Sequence, residues 1–593
     1  MPGTDDRSRG SRPSSSARAG RRLSRRRVLT SFGVVSAGLA ASVLVGCDER
    51  PPSVSVPQPR ASATPDASVT AAASPTPSIR RGGTWRMALP ADPGSLDPYA
   101  VTNASASAAV AASYSRLLAY EAGPGKARVS FNTVPDAAEF TQAPDARTFI
   151  VRLNSLAKFT APVSRAITST DVKHSYERAI TRPDGVAASE PRLRDLVEAI
   201  ETPDERTVTF RLKRPHGAFP QVLADARGLL LVPRETGQAF DPARRMAGSG
   251  PFVLQNYEAT GLTYTRNAAW HLGPDRPFID SVSMSFVRDA SDAVRQFLAG
   301  SLDTAALTSA DVKRVREGVK GVVIDQTPPL RIQNITFSGL DNEAPWRDVR
   351  VRRAVSMAIN RDAMLDESFG LKEMKAGGLD PVYTWDGFLP WGITGYSVDA
   401  KQMTPERLAS FKFNLSEASR LLSAAGWSSG FGVEWHYTGG FRGGYPLNAR
   451  LVAQHLREVN INLRTTVEDY GEVYLRGTVP GNFRGMASIS QALGEPGNYL
   501  EAMYLPGSRQ NSGRLNDPRL TELVQKISGN TNHEERRQQI LDVQGYLADQ
   551  MLNVPLPNGP MLTAYQPSAR NVMEYQSQGV SAAVDQLPYY WKA

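Results

Sequence analysis

The sequence predicts a mixed α/β protein, and three observations carry that reading. The chain has 593 residues, 41% of them hydrophobic and 21% charged, a globular balance in a length that supports two or more lobes. Short alternating segments read as strands: in 84–90, Trp85, Met87 and Leu89 share one face, and 208–212 alternates in the same way. Amphipathic segments with polar starts and glycine ends, such as 292–300 and 414–426, read as helices.

The N-terminus comes first. Arg25 and Arg26 lead into an apolar run, 28–45, that ends beside Cys47, the single cysteine of the chain. A basic front, an apolar middle and a small-residue exit describe an export signal, residues 1–46. The run contains Thr30, Ser31, Ser36 and Ser42, and is short and polar for a permanent span, which takes about 20 mostly apolar residues. The stretch 24–29 resembles the twin-arginine export signal, whose cargo crosses the membrane folded. The stretch 44–47 resembles a bacterial lipobox, whose cysteine is lipidated and becomes the first mature residue. The competing reading is an ordinary anchor helix that ends in a chance cysteine. Each buried acyl CH₂ contributes roughly 0.8 kcal/mol, so a lipidated Cys47 holds a domain at the membrane surface. No second run long enough to span a bilayer follows Cys47.

The formal net charge of +9 is concentrated in this segment. Nine arginines and two aspartates stand within 1–46, which leaves 59 basic against 57 acidic side chains of the total 68 and 59. A nucleic-acid partner therefore loses its electrostatic support. One cysteine also leaves no disulfide and no thiolate metal site. Residues 47–81, rich in Pro, Ser, Ala and Thr, are expected to be a disordered, semi-extended tether.

The folded part begins at Gly82-Gly83, with the strand 84–90 and the turn-rich run Asp92-Pro93-Gly94-Ser95-Leu96-Asp97-Pro98. A strand at 149–153 and a helix over 170–179 follow, with Thr170 or Ser169 as the expected N-cap. Further along come Gly248-Ser249-Gly250-Pro251-Phe252, Asn267-Ala268-Ala269-Trp270 and the helix 292–300. In the block 345–362, Val351, Ala354, Val355, Ala358 and Ile359 form one buried helix stripe, with Asp348 at the favourable end of the helix dipole. Its arginines are expected to serve ion pairing or solvation. A helix at 414–426, a strand at 433–437, a helix at 449–459 and a strand at 462–467 complete the order, before Asn511-Ser512-Gly513 and Asn516-Asp517-Pro518-Arg519-Leu520.

In this order, from about residue 82 to the C-terminus, these motifs resemble extracytoplasmic solute-binding protein family 5, the lipoproteins that serve oligopeptide, dipeptide and nickel ABC importers. The resemblance implies a two-lobed periplasmic-binding-protein-like α/β fold of type II, with an extra subdomain and a hinge between lobes. It implies lobe I from 82–101, 248–332 and 556–593, an inserted subdomain at 102–247 and lobe II at 333–555.

No catalytic constellation appears. Ser155 and Lys158 have the spacing of penicillin-recognising enzymes, but no partner motif accompanies them. The six histidines, 174, 216, 271, 436, 455 and 533, lack metal-ligand spacing. No enzyme activity, cofactor or metal is expected. In the resembled family the ligand lies between the lobes, and peptide binders often hold its amino group with an aspartate in a Trp-x-x-Asp-Tyr-x-Asp/Glu-Pro stretch. Anchored on Glu495-Pro496, the aspartate position is Ala492 and the tryptophan position Ile489. A buried ammonium needs a carboxylate, so this departure points to a neutral or differently oriented ligand. Candidate cleft residues are Asn103, Trp435, Tyr437, Ser488, Ile489, Gln491 and Ala492, with ordinary core packing as the competing reading. The expectation is a monomeric, lipid-anchored receptor on the outer face of the cytoplasmic membrane. It would capture a peptide or other small solute and deliver it to the transmembrane subunits of an ABC permease. The alternative is a surface sensor or scaffold lipoprotein on the same fold.

Overall fold

Strand Thr84–Leu89 sets the first layer, with Trp85 and Leu89 turned inward from its alternating pattern. In the computed structural model, described from residue 79 to 593 apart from 101–103, 124–125, 182–190, 226–227, 394, 442, 493 and 573–585, it pairs in parallel with Ser281–Phe286. Arg25, Arg26, Cys47 and Asn103 lie outside the described residues, as does nearly all of the expected tether. Strands Gly261–Arg266 and Phe252–Glu258 extend this sheet in antiparallel order. Trp85 packs on Tyr590 with ring centroids 4.8 Å apart, so the C-terminal residues return to this core.

A second four-stranded antiparallel sheet runs Ala138–Gln142, Thr148–Leu153, Thr207–Leu212, Val197–Glu201. Helix Ser169–Ile180 begins at Thr168, one residue before the expected caps. Thr168 and Asp171 form a reciprocal capping box, which satisfies two backbone donors at once.

The third layer is a five-stranded sheet ordered Ile461–Glu468, Phe431–Thr438, Met486–Ala492, Arg331–Phe337, Asn553–Leu556. Its first three strands are mutually parallel, and Arg331–Phe337 runs against both neighbours. Helix Val349–Met357 covers it. Asp348 caps that helix at Arg350 N, and the stripe Val351, Ala354, Val355, Ala358, Ile359 is fully buried as the periodicity predicts. Its Arg352 is buried too, donating to the carbonyls of Trp346, Gln550 and Met551.

Between the first and third layers lies a small sheet of Thr304–Leu307, Met561–Tyr565 and Val323–Thr327. The chain enters the five-stranded sheet through Pro328-Pro329-Leu330 and leaves it through Pro557-Asn558-Gly559-Pro560. These two proline-bearing crossings connect a lobe I built on the first sheet to a lobe II built on the third. The molecule therefore has the mixed α/β, two-lobed architecture. The second sheet does not hang from lobe I alone. Its core is continuous with that of lobe II, Phe131 meets Tyr396 edge-on, and Gly217 N donates to Ser528 O at 2.7 Å.

Candidate functional site

The strand directions of lobe II locate the site. The carboxyl ends of 431–438, 461–468 and 486–492 open on the same side as the amino end of 331–337 and the carboxyl end of 553–556. Both crossings leave from this edge, so it faces lobe I. In open α/β sheets the crevice outside the carboxyl strand ends is where ligands bind.

The local backbone explains why the edge is open. Strands 431–438 and 486–492 pair only at Trp435–Met486 and His436–Ala487. Beyond that the gap is bridged by a side chain. The Tyr474 hydroxyl donates to Ser488 O and accepts from Ser490 N, both at 3.0 Å. A buried polar chain fixes the crossing behind it. Gln333 Nε2 donates to Ser488 Oγ at 2.8 Å, Asn448 Nδ2 donates to Gln333 Oε1 at 3.0 Å, and the same Nδ2 lies 3.0 Å from Pro557 O. Asn558 is held by the buried Asp386, and its carbonyl accepts from Trp391 Nε1 at 3.1 Å. Burial pushes the Asp386 carboxyl up to about 8, although Trp391 N and Asn558 both donate to it. At the far end of 431–438, His436 Nδ1 lies 2.9 Å from Glu468 Oε1. That hydrogen bond raises the imidazole above its ordinary value against the opposing effect of burial.

The sequence candidates divide between edge and interior. Trp435 is fully buried and donates its indole N–H to Ala449 O at 2.9 Å, and Ile489 is fully buried with Tyr474, Phe483 and Ala487. Both are packed: strand alternation turns Trp435 under helix Tyr445–Arg457 and Ile489 under the helix Tyr470–Thr478. Tyr437 is buried at the same strand end. Ser488 sits inside the polar chain, and Gln491 is half-buried, with Oε1 unpartnered among the described residues. Ala492 stands opposite Arg331 in the ladder.

Sequence reasoning missed five residues of this edge. Arg331 Nη1 donates to Ser490 O at 3.0 Å, and its guanidinium lies 4.9 Å from the Phe441 ring centroid. Phe441 in turn meets Tyr445, Tyr470 and Tyr474. The Tyr470–Tyr474 spacing of one helical turn was a readable signal, and the stacked rings realise it. Arg331 after two prolines carried no such signal.

Elsewhere, a cavity of about 380 Å³ lies within lobe I and the second sheet, lined by Arg116, Asp136, Trp270, Arg276 and Tyr589. Another of about 280 Å³ lies where the second sheet meets lobe II, beside Arg214 and Glu501. Among the described residues no cluster of His, Cys, Asp and Glu is arranged to hold a metal ion, and no helix is long and apolar enough to cross a membrane.

A two-lobed frame with its open strand ends between two crossings defines a class of proteins that enclose a solute between lobes. The family can be stated directly: residues 132–511 match bacterial extracellular solute-binding proteins, family 5, middle region, and the chain belongs to that family. The family and fold are those of substrate-binding proteins of transport systems. A putative ABC transporter peptide-binding protein of Brucella ovis is 26% identical over 464 residues, covering 73% of this chain and 79% of that one. Di/tripeptide-binding protein 2 of Pseudomonas aeruginosa is 24% identical, covering 79% and 87%. Among solved structures, a periplasmic binding protein of Helicobacter pylori in complex with the peptide STSA superposes with a TM-score of 0.68. It shares 19% identity and is covered to 99%, with 87% of this chain matched. A binding protein of A. tumefaciens R10 in complex with agropinic acid gives 0.67, at 20% identity and with coverage of 86% and 99%.

Proposed function

We propose that this chain is the lipid-anchored substrate-binding component of an ABC importer. It captures a peptide or peptide-like solute between its lobes, releases it to a permease and carries out no chemistry. The observation behind this reading is the lobe II edge. Open strand ends, an aromatic group and a half-buried arginine meet beside two crossings stiffened by proline. Relatives named for peptide binding support the ligand class. Ligand-driven closure requires only that the closed state bind more tightly. The expected boundaries, lobe I at 82–101, 248–332 and 556–593, the subdomain at 102–247 and lobe II at 333–555, suit this reading once residues 331, 332 and 556 pass to lobe II with their strands. Arg25 and Arg26 direct export, and Cys47 carries the lipid.

Native mass spectrometry of the protein purified gently from its host tests the capture. A bound mass that disappears on denaturation supports it, and a peptide ladder would name the class. The absence of any bound mass, with no thermal shift across peptide, sugar and chelate panels, would favour the sensor alternative. The anchor is tested separately by acyl labelling. Label on the parent chain that is lost in Cys47→Ala is the expected result, and label retained in that variant would refute it.

A further inference from the structure

This inference rests on the solute-capture reading and specifies the charge of the solute. We infer that the lobe II edge receives a carboxylate-bearing ligand and that Arg331 pairs with its anionic group. Arg331 opens its strand at the crossing and is half-buried. The groups its guanidinium meets are neutral: Ser490 O at 3.0 Å, Ser490 Oγ at 3.5 Å and the Phe441 ring. A guanidinium carries five N–H donors, and these contacts engage one nitrogen. No carboxylate among the described residues forms an ion pair with it.

The surroundings keep that charge uncompensated. The ladder partner at 492 is alanine, so no anion stands across the strand pair. The acids of the same edge are engaged elsewhere. Glu468 takes His436 and Thr478, Asp469 caps Glu472 N, and Glu495 pairs with Arg536. Alternation places Ser490, Ser488 and Gln333 on the Arg331 face and Gln491 on the other. The guanidinium lies over the Phe441 ring and spends only Nη1 on Ser490, which leaves Nε and Nη2 for a bidentate partner. The charge acts on Tyr445 and Tyr474 beside it, and the Tyr445 hydroxyl has no hydrogen-bond partner among the described residues. Exposed Val467, Tyr470 and Val473 follow on the same lobe and offer apolar surface. A cation, a free hydroxyl and an aromatic wall suit a carboxylate attached to an apolar body, such as the C-terminal end of a short peptide.

The test compares tri- and tetrapeptide pools as free acids and as C-terminal amides, with succinate and inorganic phosphate as non-peptide anions. Binding to the full chain is read by calorimetry and thermal shift. The expected result is that acids bind at least about tenfold more tightly than the matching amides, the size of one charge-assisted contact. Arg331→Gln should abolish that preference, and Arg331→Lys should restore part of it. Equal binding of acids and amides by the parent chain overturns the inference while leaving peptide capture intact, and so does a preference that survives in Arg331→Gln. Arg331-dependent binding of succinate or phosphate, with no peptide bound in either form, sustains the anion site and overturns the peptide reading. No binding of any probe overturns both.

Discussion

The interior of lobe II and its edge both hold arginines that lack a carboxylate partner, yet the two places treat them differently. Arg361 is fully buried and gives its donors to Ser356 O at 3.1 Å, Phe411 O at 2.6 Å and Pro555 O at 3.2 Å, with Ser356 Oγ at 2.9 Å. Burial pulls its guanidinium down to about 9, and the carbonyl cage is what makes a buried charge tolerable. Arg331 has one carbonyl and one ring, and it remains half-exposed. A nearly saturated arginine, with only Nε lacking a partner among the described residues, ties helices and strands together. An unsaturated one at open strand ends retains capacity for something that arrives later.

The same contrast holds for acids. Glu501, where the second sheet meets lobe II, is opposed by burial but held far below the ordinary range by His216, Arg214 and Ser528. Arg214 Nη2 lies 2.7 Å from Glu501 Oε2, and His216 Nδ1 3.2 Å from Oε1. Asp386, behind the edge, has amide donors alone and is pushed towards its neutral form.

Breaking the interior should produce the largest effect. Arg361→Ala removes the guanidinium donors from the buried carbonyls of Phe411 and Pro555 and from Ser356 O, which keeps Ile359 N, and should cost about 3 kcal/mol or more in urea unfolding. A loss of under ~1 kcal/mol would show that water replaces the guanidinium and that the cage is not structural. Glu501→Gln should follow, at about 1.5–3 kcal/mol, because it removes the charge that His216 and Arg214 face. The lowered pKa sets the sign of its pH dependence. The contribution is full above the unfolded glutamate value of about 4.3 and fades as pH falls below it. Unfolding midpoints from pH 3 to 7 should therefore draw together for parent and variant at the acid end, and parallel curves would argue against a stabilising charge on Glu501.

Asp386 should show the opposite slope. Its folded value of about 8 lies above the unfolded value of about 3.9, so its contribution is full in acid and declines as pH rises between the two. Asp386→Asn should flatten the fall in stability over that window, and an unchanged slope would assign the fall to another group. Arg331→Gln should be the smallest in stability, within about 0.5 kcal/mol, as for a surface position. A larger loss would move Arg331 into the class of Arg361 and weaken its role as a ligand contact.

How much of this was legible depended on range. The stripe from Val351 to Ile359, the Asp348 cap and the helix closed near Gly426 were readable because periodicity and capping are local physics. Glu495-Pro496 was readable as a landmark, and the structure makes it a helix start, with Glu495 accepting from Asn498 N at 2.8 Å and paired to Arg536. Trp435 illustrates the limit. A strand tryptophan suits a cleft or a core equally by its chemistry, and only the packing of helix Tyr445–Arg457 onto its indole decides for the core.

By itself the sequence determined the mixed α/β class, the order of the elements and membership of a solute-binding family, since each is encoded in spacing along the chain. The tertiary structure alone decided which residues share the edge between the crossings. Arg331 and Ser490 are 159 positions apart, and His216, in the loop after strand Thr207–Leu212, meets Glu501 of helix Pro496–Tyr504. Such pairings follow from strand register and from where buried donors find acceptors, and neither is a property of any one stretch of sequence.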